Sequence, residues 1–265
     1  MASGRTSKAA RRKRPPSASA RATPWGTIAA AMVVVLFAGA VLGYVFFQSQ
    51  EQQGRKDAAA AYTPSETNKD PSKAIPGVAT ATFPAGQHIN PTDRVAYTHF
   101  PPMGGAHDFA WAACTGVVYP KAVRNENMVH SLEHGAVWIA YDPARITGDA
   151  VDTLRKRVSN QPYTMMSPYP GLDQPISLQS WGHQLKLADA NDPRIDQFIQ
   201  SLRRNQYTYP EVGASCSALG PGQFDEDNPP AFNPVPPGPG ARPEVDNGAP
   251  AGDERLSNPS TGGAG

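Results

Sequence analysis

The chain has 265 residues, and its 28 Pro and 24 Gly are too many backbone-breaking residues for one evenly packed domain of this length. Lys and Arg (24) nearly balance Asp and Glu (23), so the formal net charge is +1, which excludes a nucleic-acid-binding protein with a broad basic surface. The two cysteines exclude a disulfide-rich scaffold and a four-cysteine zinc site, and they leave one bridge or two thiols.

An apolar run without a charged side chain occupies residues 25–47. It is long enough to cross a membrane as a helix, for which about 20 residues suffice. Residues 1–24 carry basic and no acidic side chains, which predicts that they are cytoplasmic and that the rest of the chain lies outside. A cleaved signal peptide is the alternative, with a weak cleavage site at residues 38–40, but the apolar run continues to Phe47. The sequence therefore favours a single-pass protein of the cell membrane.

Three segments follow the apolar run. Residues 48–79 are polar without an apolar period, which predicts a stalk. Residues 221–265 are rich in Pro, Gly and acidic side chains, so they bury too little surface to offset their ordering entropy and are predicted to be disordered. One small extracytoplasmic domain, residues 80–220, lies between them.

Regular elements are predicted in the second half of that domain. The apolar run 135–141 predicts a buried strand, and the apolar spacing in 151–158 predicts a helix that covers it. Residues 163–167 predict a short strand, and 176–187 a hairpin or bulged meander. The apolar period within 192–202 predicts the last helix.

The order strand, helix, strand, strand, helix after a loop-rich part is typical of an α+β domain. It is also the order of the second half of a thioredoxin-like fold, and that topology stays open. The chain has no CxxC motif, and residues before 135 do not form a recognisable βαβ unit.

The two cysteines, Cys114 and Cys216, enclose most of the domain. Outside the cytoplasm two otherwise lone cysteines usually form one bridge. Closing a loop of about 100 residues would stabilise the domain by ~4–5 kcal/mol in the chain-entropy account. A soft-metal thiolate or redox-active thiol is the competing interpretation.

The segment His130-Ser-Leu-Glu-His134 is the first candidate site. Its i, i+4 spacing places two imidazoles on one helix face with Glu133 beside them, which suits a divalent metal. The segment also matches the H-x-x-E-H pattern of inverted zinc peptidases. However, Gly135 and a predicted strand follow at once, which leaves no long helix to carry that motif.

The segment from His99 to His107 is the second candidate site. Two prolines and two glycines between these histidines predict a tight turn that returns His107 towards His99. The combined site consists of His99, His107, His130, Glu133 and His134. It is either a metal site for Zn²⁺ or Cu²⁺ or a buried polar network without metal. The methionines predicted to be core residues rather than copper ligands are Met103, Met165 and Met166.

These motifs resemble a family of membrane-anchored actinobacterial and related proteins known only as a domain of unknown function. The resemblance covers about residues 80–218 and lies in PPMGGAH (101–107), HSLEHGAVWIAYDP (130–143), SPYPGL (167–172) and SWG (180–182). The family pattern has Ser-Gly-Pro-His where this chain has Gly-Gly-Ala-His, which keeps the histidine and loses a hydroxyl. The resemblance implies an architecture and no activity.

Two classes of function stay open. The first is a non-catalytic binding or accessory module whose ligand is a metal or an envelope protein, favoured because no nucleophile, base and oxyanion arrangement is evident. The second is a metal-dependent envelope enzyme of hydrolase type that uses His130, Glu133 and His134. Zn and Cu are the candidate cofactors, the membrane is a partner through the single span, and nucleic acid is not expected.

Overall fold

The computed structural model of the protein describes residues 25–245. The chain divides between Glu51 and Gln52 into two units. In chain order the helices and strands are α1 (Trp25–Ala59), β1 (Val78–Thr80), β2 (His88–Ile89), β3 (Val95–Ala96), β4 (His107–Asp108), β5 (Thr115–Val118), α2 (Asn125–Glu133), β6 (Val137–Tyr141), α3 (Asp149–Val158), β7 (Thr164–Pro168), β8 (Ile176–Ser180), β9 (His183–Leu187), α4 (Arg194–Leu202) and β10 (Arg242–Pro243). Short 3-10 helices lie at Ala60–Tyr62 and Pro71–Ala74.

The first element is the apolar helix α1. Within residues 25–245, the stretch Trp25–Tyr62 is the one helical segment that is long and apolar enough to cross a membrane. A signal sequence near the N-terminus can meet the same criteria of length and apolar composition. The helix is therefore compatible with a membrane anchor. The predicted basic segment 1–24 lies outside the described residues.

The predicted stalk, residues 48–79, is structured differently from the expectation. Its first part continues α1 to Ala59, and its last part belongs to the domain. Ile75 is buried in the apolar core, and β1 pairs antiparallel with β9. The domain therefore begins before residue 80, because a few buried side chains and one short strand suffice to dock a segment that has no apolar period of its own.

The second unit is built on a six-stranded sheet in the order β1-β9-β8-β6-β7-β5. Strand β7 is parallel to both β5 and β6, whereas β6, β8, β9 and β1 pair antiparallel in succession. Parallel neighbours need crossover connections, which α2 and α3 supply. The unit is thus a small α/β domain with a mixed sheet, where the sequence predicted an α+β domain.

Both faces of the sheet are covered by other elements. Successive side chains of a strand point to opposite faces, so each strand contributes side chains to both sides. On one face Ile139 of β6 packs with Leu154 of α3 and Phe198 of α4. On the other face Trp138 packs with Leu132 of α2 and with the loops that precede this helix. The sheet is therefore sandwiched between a helical layer and a layer in which α2 is surrounded by loops.

The elements predicted for residues 135–202 are confirmed. The expected strands correspond to β6, β7, β8 and β9, the last two forming an antiparallel hairpin, and the expected helices to α3 and α4. Helix α2 connects β5 to β6, and both strands are parallel to β7. This crossover extends across residue 135 rather than preceding it, because its second strand is β6.

The part of the predicted tail that the structure describes, residues 221–245, lies on the domain. Phe224 is buried, the ring of Phe232 lies 4.7 Å from that of Tyr169, and the carbonyl of Glu244 accepts a bond from Ala106 N at 2.7 Å. Strand β10 also pairs with β3. The prolines limit the number of conformations of this segment in the unfolded chain, which lowers the entropy cost of ordering the segment. A few apolar contacts are therefore enough to hold it on the domain. The remaining part, 246–265, lies outside the described residues.

Candidate metal centre

Helix α2 provides the first half of the candidate site. Residues Glu126 to Glu133 are all buried, and loop carbonyls hold the helix through its polar side chains. Asn127 Nδ2 donates to Ala110 O at 2.7 Å, and Ser131 Oγ donates to Ala112 O at 2.6 Å. His130 and Glu133 lie in the last turn, where an i, i+3 pair shares a face.

His134 caps the C-terminus of this helix. The following Gly135 has φ +89°, and a Cβ there would lie 2.6 Å from the ring of Tyr209. Only glycine therefore fits both the left-handed backbone and the close approach of the ring. This turn ends α2 directly after His134 and begins β6.

The Pro-Pro-Met-Gly-Gly turn provides the second half. Gly105 has φ +95°, and a Cβ there would lie 2.4 Å from Glu244 O, so a side chain at this position would displace the C-terminal segment. The turn leads into β4, which pairs in parallel with β2 and brings His107 opposite His88.

Four side chains converge between these elements: His88, His107, His130 and Glu133. One donor atom from each lies within 4.8 Å of the others. His107 Nε2 lies 2.8 Å and His88 Nε2 4.0 Å from Glu133 Oε2. Because Glu133 and His107 are fully buried, the group is enclosed by protein except at the partly exposed His88.

Backbone groups fix the orientation of three of these side chains. His107 Nδ1 lies 2.8 Å from Gly105 O, and His130 Nδ1 lies 2.6 Å from Asp108 O. A carbonyl oxygen only accepts, so each Nδ1 carries a hydrogen, and Nε2 is the ring nitrogen that points into the group and whose lone pair a metal would use. Glu133 Oε1 accepts from Gly86 N at 2.8 Å, which leaves Oε2 facing the imidazoles.

The contact between His107 Nε2 and Glu133 Oε2 is short but is not a hydrogen bond. The two atoms lie 2.8 Å apart, yet the ring direction does not satisfy hydrogen-bond geometry, and within the described residues neither atom has a hydrogen-bond partner. Two buried lone-pair atoms that face each other are costly unless a cation lies between them.

His130 is held in its neutral form. Burial, and then the neighbouring imidazoles of His107 and His134, lower the pKa of His130 well below its ordinary value. The hydrogen bond to Asp108 O opposes this shift without reversing it. A neutral imidazole is the form that ligates metals.

A second group adjoins the first and consists of His130, His134 and Glu211. His134 Nε2 lies 3.0 Å and His130 Nε2 4.0 Å from Glu211 Oε2. The hydrogen bond with His134 lowers the pKa of Glu211. His134 Nδ1 donates to Ser215 O at 2.6 Å, which fixes the orientation of the ring.

The loop that carries Glu211 is attached to the domain by a disulfide. Cys114 and Cys216 are bonded, as the sequence predicted, and Cys114 N donates to Cys216 O at 2.9 Å. Glu211 N also donates to Glu133 O at 3.2 Å. The bridge therefore holds the second group against the end of α2.

Of the residues predicted for the combined site, His107, His130 and Glu133 lie in the first group, and His134 joins His130 in the second. His99 lies in neither group, because its Nδ1 lies 3.1 Å from Glu244 Oε1 on the far side of the Gly-Gly turn. The pattern of H-x-x-E-H therefore does not act as one ligand set.

Sequence reasoning missed His88 and Glu211. Both reach the site through long-range contacts, the β2–β4 pair and the disulfide-linked loop. The clustering of all six histidines in residues 88–183 was the available signal for His88. Met103, Met165 and Met166 are buried in the apolar core.

One surface cavity lies apart from this chemistry. It has a volume of about 570 Å³, and Tyr97, Arg124 and Tyr169 are among its lining residues, none of which is a histidine. A metal ion needs converging donor atoms rather than a cavity of that size, so the histidine groups remain the candidate site.

The residues of the candidate site match the model of a protein family. No match to the chain was found among curated proteins or among solved structures. Residues 88–218, which include both histidine groups and both cysteines, match the model of the family described as "Protein of unknown function (DUF3105)".

Proposed function

We propose that the domain is a metal-binding module whose ion is held by His88, His107, His130 and Glu133. The observation that carries this proposal is the pair of buried, lone-pair-bearing atoms, His107 Nε2 and Glu133 Oε2, that face each other at 2.8 Å without a hydrogen bond. A divalent cation at that point would be neutralised by the carboxylate and ligated by the imidazoles.

The donor set supports a borderline metal. Three imidazoles and one carboxylate suit Zn²⁺ or Cu²⁺. Donors about 2.0–2.1 Å from a tetrahedral ion lie roughly 3.3 Å apart. Glu133 Oε2 lies 2.8 Å from His107 Nε2 and 4.0 Å from His88 Nε2. Each of these two distances therefore needs to change by less than about 1 Å when an ion binds.

The number of donors favours a binding or accessory module over an enzyme. Catalytic zinc sites have three protein ligands and one open position, whereas this group offers four. The hydrolase alternative with His130, Glu133 and His134 is less well supported, because His134 lies against Glu211.

Metal titration of the full chain in detergent micelles tests the proposal. Wild type is expected to bind one Zn²⁺ or Cu²⁺, and His107→Gln is expected to lower the affinity by at least about 10–100-fold, the loss typical even of groups that only orient a ligand. The matched control is His99→Gln, a histidine in neither group. Equal losses for both variants, or no binding by wild type, would contradict the proposal.

We propose a single-span topology with the N-terminus in the cytoplasm. Support comes from the basic residues before the apolar helix and the polar residues after it. A reporter enzyme that works only outside the cytoplasm, fused after Gly265, is expected to be active. Activity of a cytoplasm-specific reporter at the same position, or a mature chain that lacks residues 1–40, would contradict this topology.

We also infer that the topology of the domain, and only its topology, is related to the thioredoxin-like fold. The β6–α3–β7 crossover followed by the β8–β9 hairpin and α4 supports it. The chain has no CxxC motif, so the relation implies no redox activity. An experimental structure in which β7 does not pair with β6 would contradict it.

A further inference from the structure

His130 belongs to both histidine groups but has one nitrogen to offer. Its Nδ1 donates to Asp108 O at 2.6 Å, so only Nε2 is available as a ligand. That atom lies within 4.8 Å of the donor atoms of the first group and also of those of the second. One lone pair binds one ion, so the two groups cannot both hold a fully ligated metal at the same time.

The two groups differ in their access to solvent. In the first group the side chains of His107 and Glu133 are fully buried. In the second group the side chain of Glu211 is 37% exposed, while His134 beside it is 2% exposed. The first group reaches solvent at His88, whose side chain is 23% exposed, but its own carboxylate is buried, so Glu211 is the carboxylate of the two groups that solvent can reach.

The second group is also built as a ligand set rather than as a chance ion pair. His134 is oriented by Ser215 O, in the same way that His107 and His130 are oriented by their carbonyls. Such bonds from the second ring nitrogen are typical of metal-binding histidines. The ring of Trp111 lies 4.8 Å from His134 and 5.5 Å from His130, so it covers this group.

We propose that His130, His134 and Glu211 form an outer metal position from which a divalent ion moves to the inner position by ligand exchange around His130 Nε2. At the outer position the ion is bound by two imidazoles and an exposed carboxylate. At the inner position His88, His107 and Glu133 replace His134 and Glu211. This inference rests on the proposed metal-binding function and adds the route by which the site is loaded.

The test uses the full chain in detergent micelles with Co²⁺, whose visible absorption reports its ligands. Glu211→Gln is expected to slow the uptake of Co²⁺ about tenfold or more, because it removes the attracting carboxylate. The affinity at equilibrium should change less than about threefold. All ligands of the inner position remain in this variant, and Glu211 affects an ion at that position only indirectly. Glu66→Gln is the control, since it removes the same charge from an exposed position.

A second pair of variants tests the outer position at equilibrium. A variant that combines His88→Gln with His107→Gln keeps only two inner donors but all three outer ones, so it should still bind one Co²⁺, with an affinity lowered by at least about 10–100-fold, and a chelator should remove it quickly. Adding His134→Gln to this variant should abolish the residual binding.

The outcomes separate the two claims. Uptake by Glu211→Gln at the wild-type rate, or residual binding that survives the added His134→Gln change, overturns the outer position and leaves the inner one intact. A wild-type chain that takes up no Co²⁺ overturns the proposed function and this inference together.

Discussion

Replacing Cys216 by serine is expected to lower the free energy of unfolding of the domain by about 4–5 kcal/mol, because the bridge closes a loop of about 100 residues in the unfolded chain. Denaturant unfolding, followed through the fully buried Trp138, measures the loss. The variant should also bind metal more weakly, since Ser215 and Glu211 lie in the loop that the bridge holds.

The control for this prediction is the partner cysteine. Cys114→Ser should cost as much as Cys216→Ser, and the double variant no more than either, because all three remove the same bond. Labelling of both thiols in folded, unreduced protein would show that the bridge is absent and would contradict the prediction.

Glu133→Gln is expected to separate stability from metal binding. Its amide oxygen can still accept from Gly86 N, and its amide NH₂ places hydrogens rather than a second lone pair beside His107 Nε2. Without metal the variant should therefore be at least as stable as wild type, because the close contact between two lone-pair atoms is removed.

Zinc should then distinguish the two proteins. At a free concentration of 100 times its dissociation constant, zinc stabilises wild type by about 2.7 kcal/mol. A variant with about 100-fold weaker binding gains only about 0.4 kcal/mol at that concentration. Thermal unfolding with EDTA and with buffered zinc measures both quantities. Loss of several kcal/mol by the variant in EDTA, together with a wild type that does not respond to zinc, would instead indicate a polar network that serves stability alone.

The second half of the domain could be predicted from the sequence because its elements have regular periods and clear ends. The run 137–141 is apolar throughout, and helix α4 has an apolar face that packs on the sheet through Ile195, Phe198 and Leu202. Where an element is amphipathic or continuously apolar, the order of apolar and polar residues in the sequence indicates which side chains are buried.

The first half could not be predicted for the opposite reason. Helix α2 is buried on all sides and holds Glu126, Asn127, His130 and Glu133, so it has no polar face to contrast with an apolar one. Its polar side chains bind loop carbonyls that are distant in sequence. Strand β5 is four residues long and includes Gly116, which weakens its pattern further.

The candidate site was partly predictable. The spacing of His130 and Glu133 on a helix indicated two donors, and the Gly-Gly turn indicated a third, His107. The predicted site included His99, whereas the group that contains His107 has His88, the residue opposite it on the neighbouring strand. Strand pairing between two-residue segments leaves no signal in the sequence.

The most direct test of the account is a crystal structure of the zinc-loaded protein with anomalous data collected at the zinc edge. The account predicts one strong peak about 2.0–2.2 Å from His107 Nε2, His130 Nε2 and Glu133 Oε2. A structure from zinc-saturated crystals in which no peak lies among these atoms, and in which His107 donates a direct hydrogen bond to Glu133, would contradict the central claim.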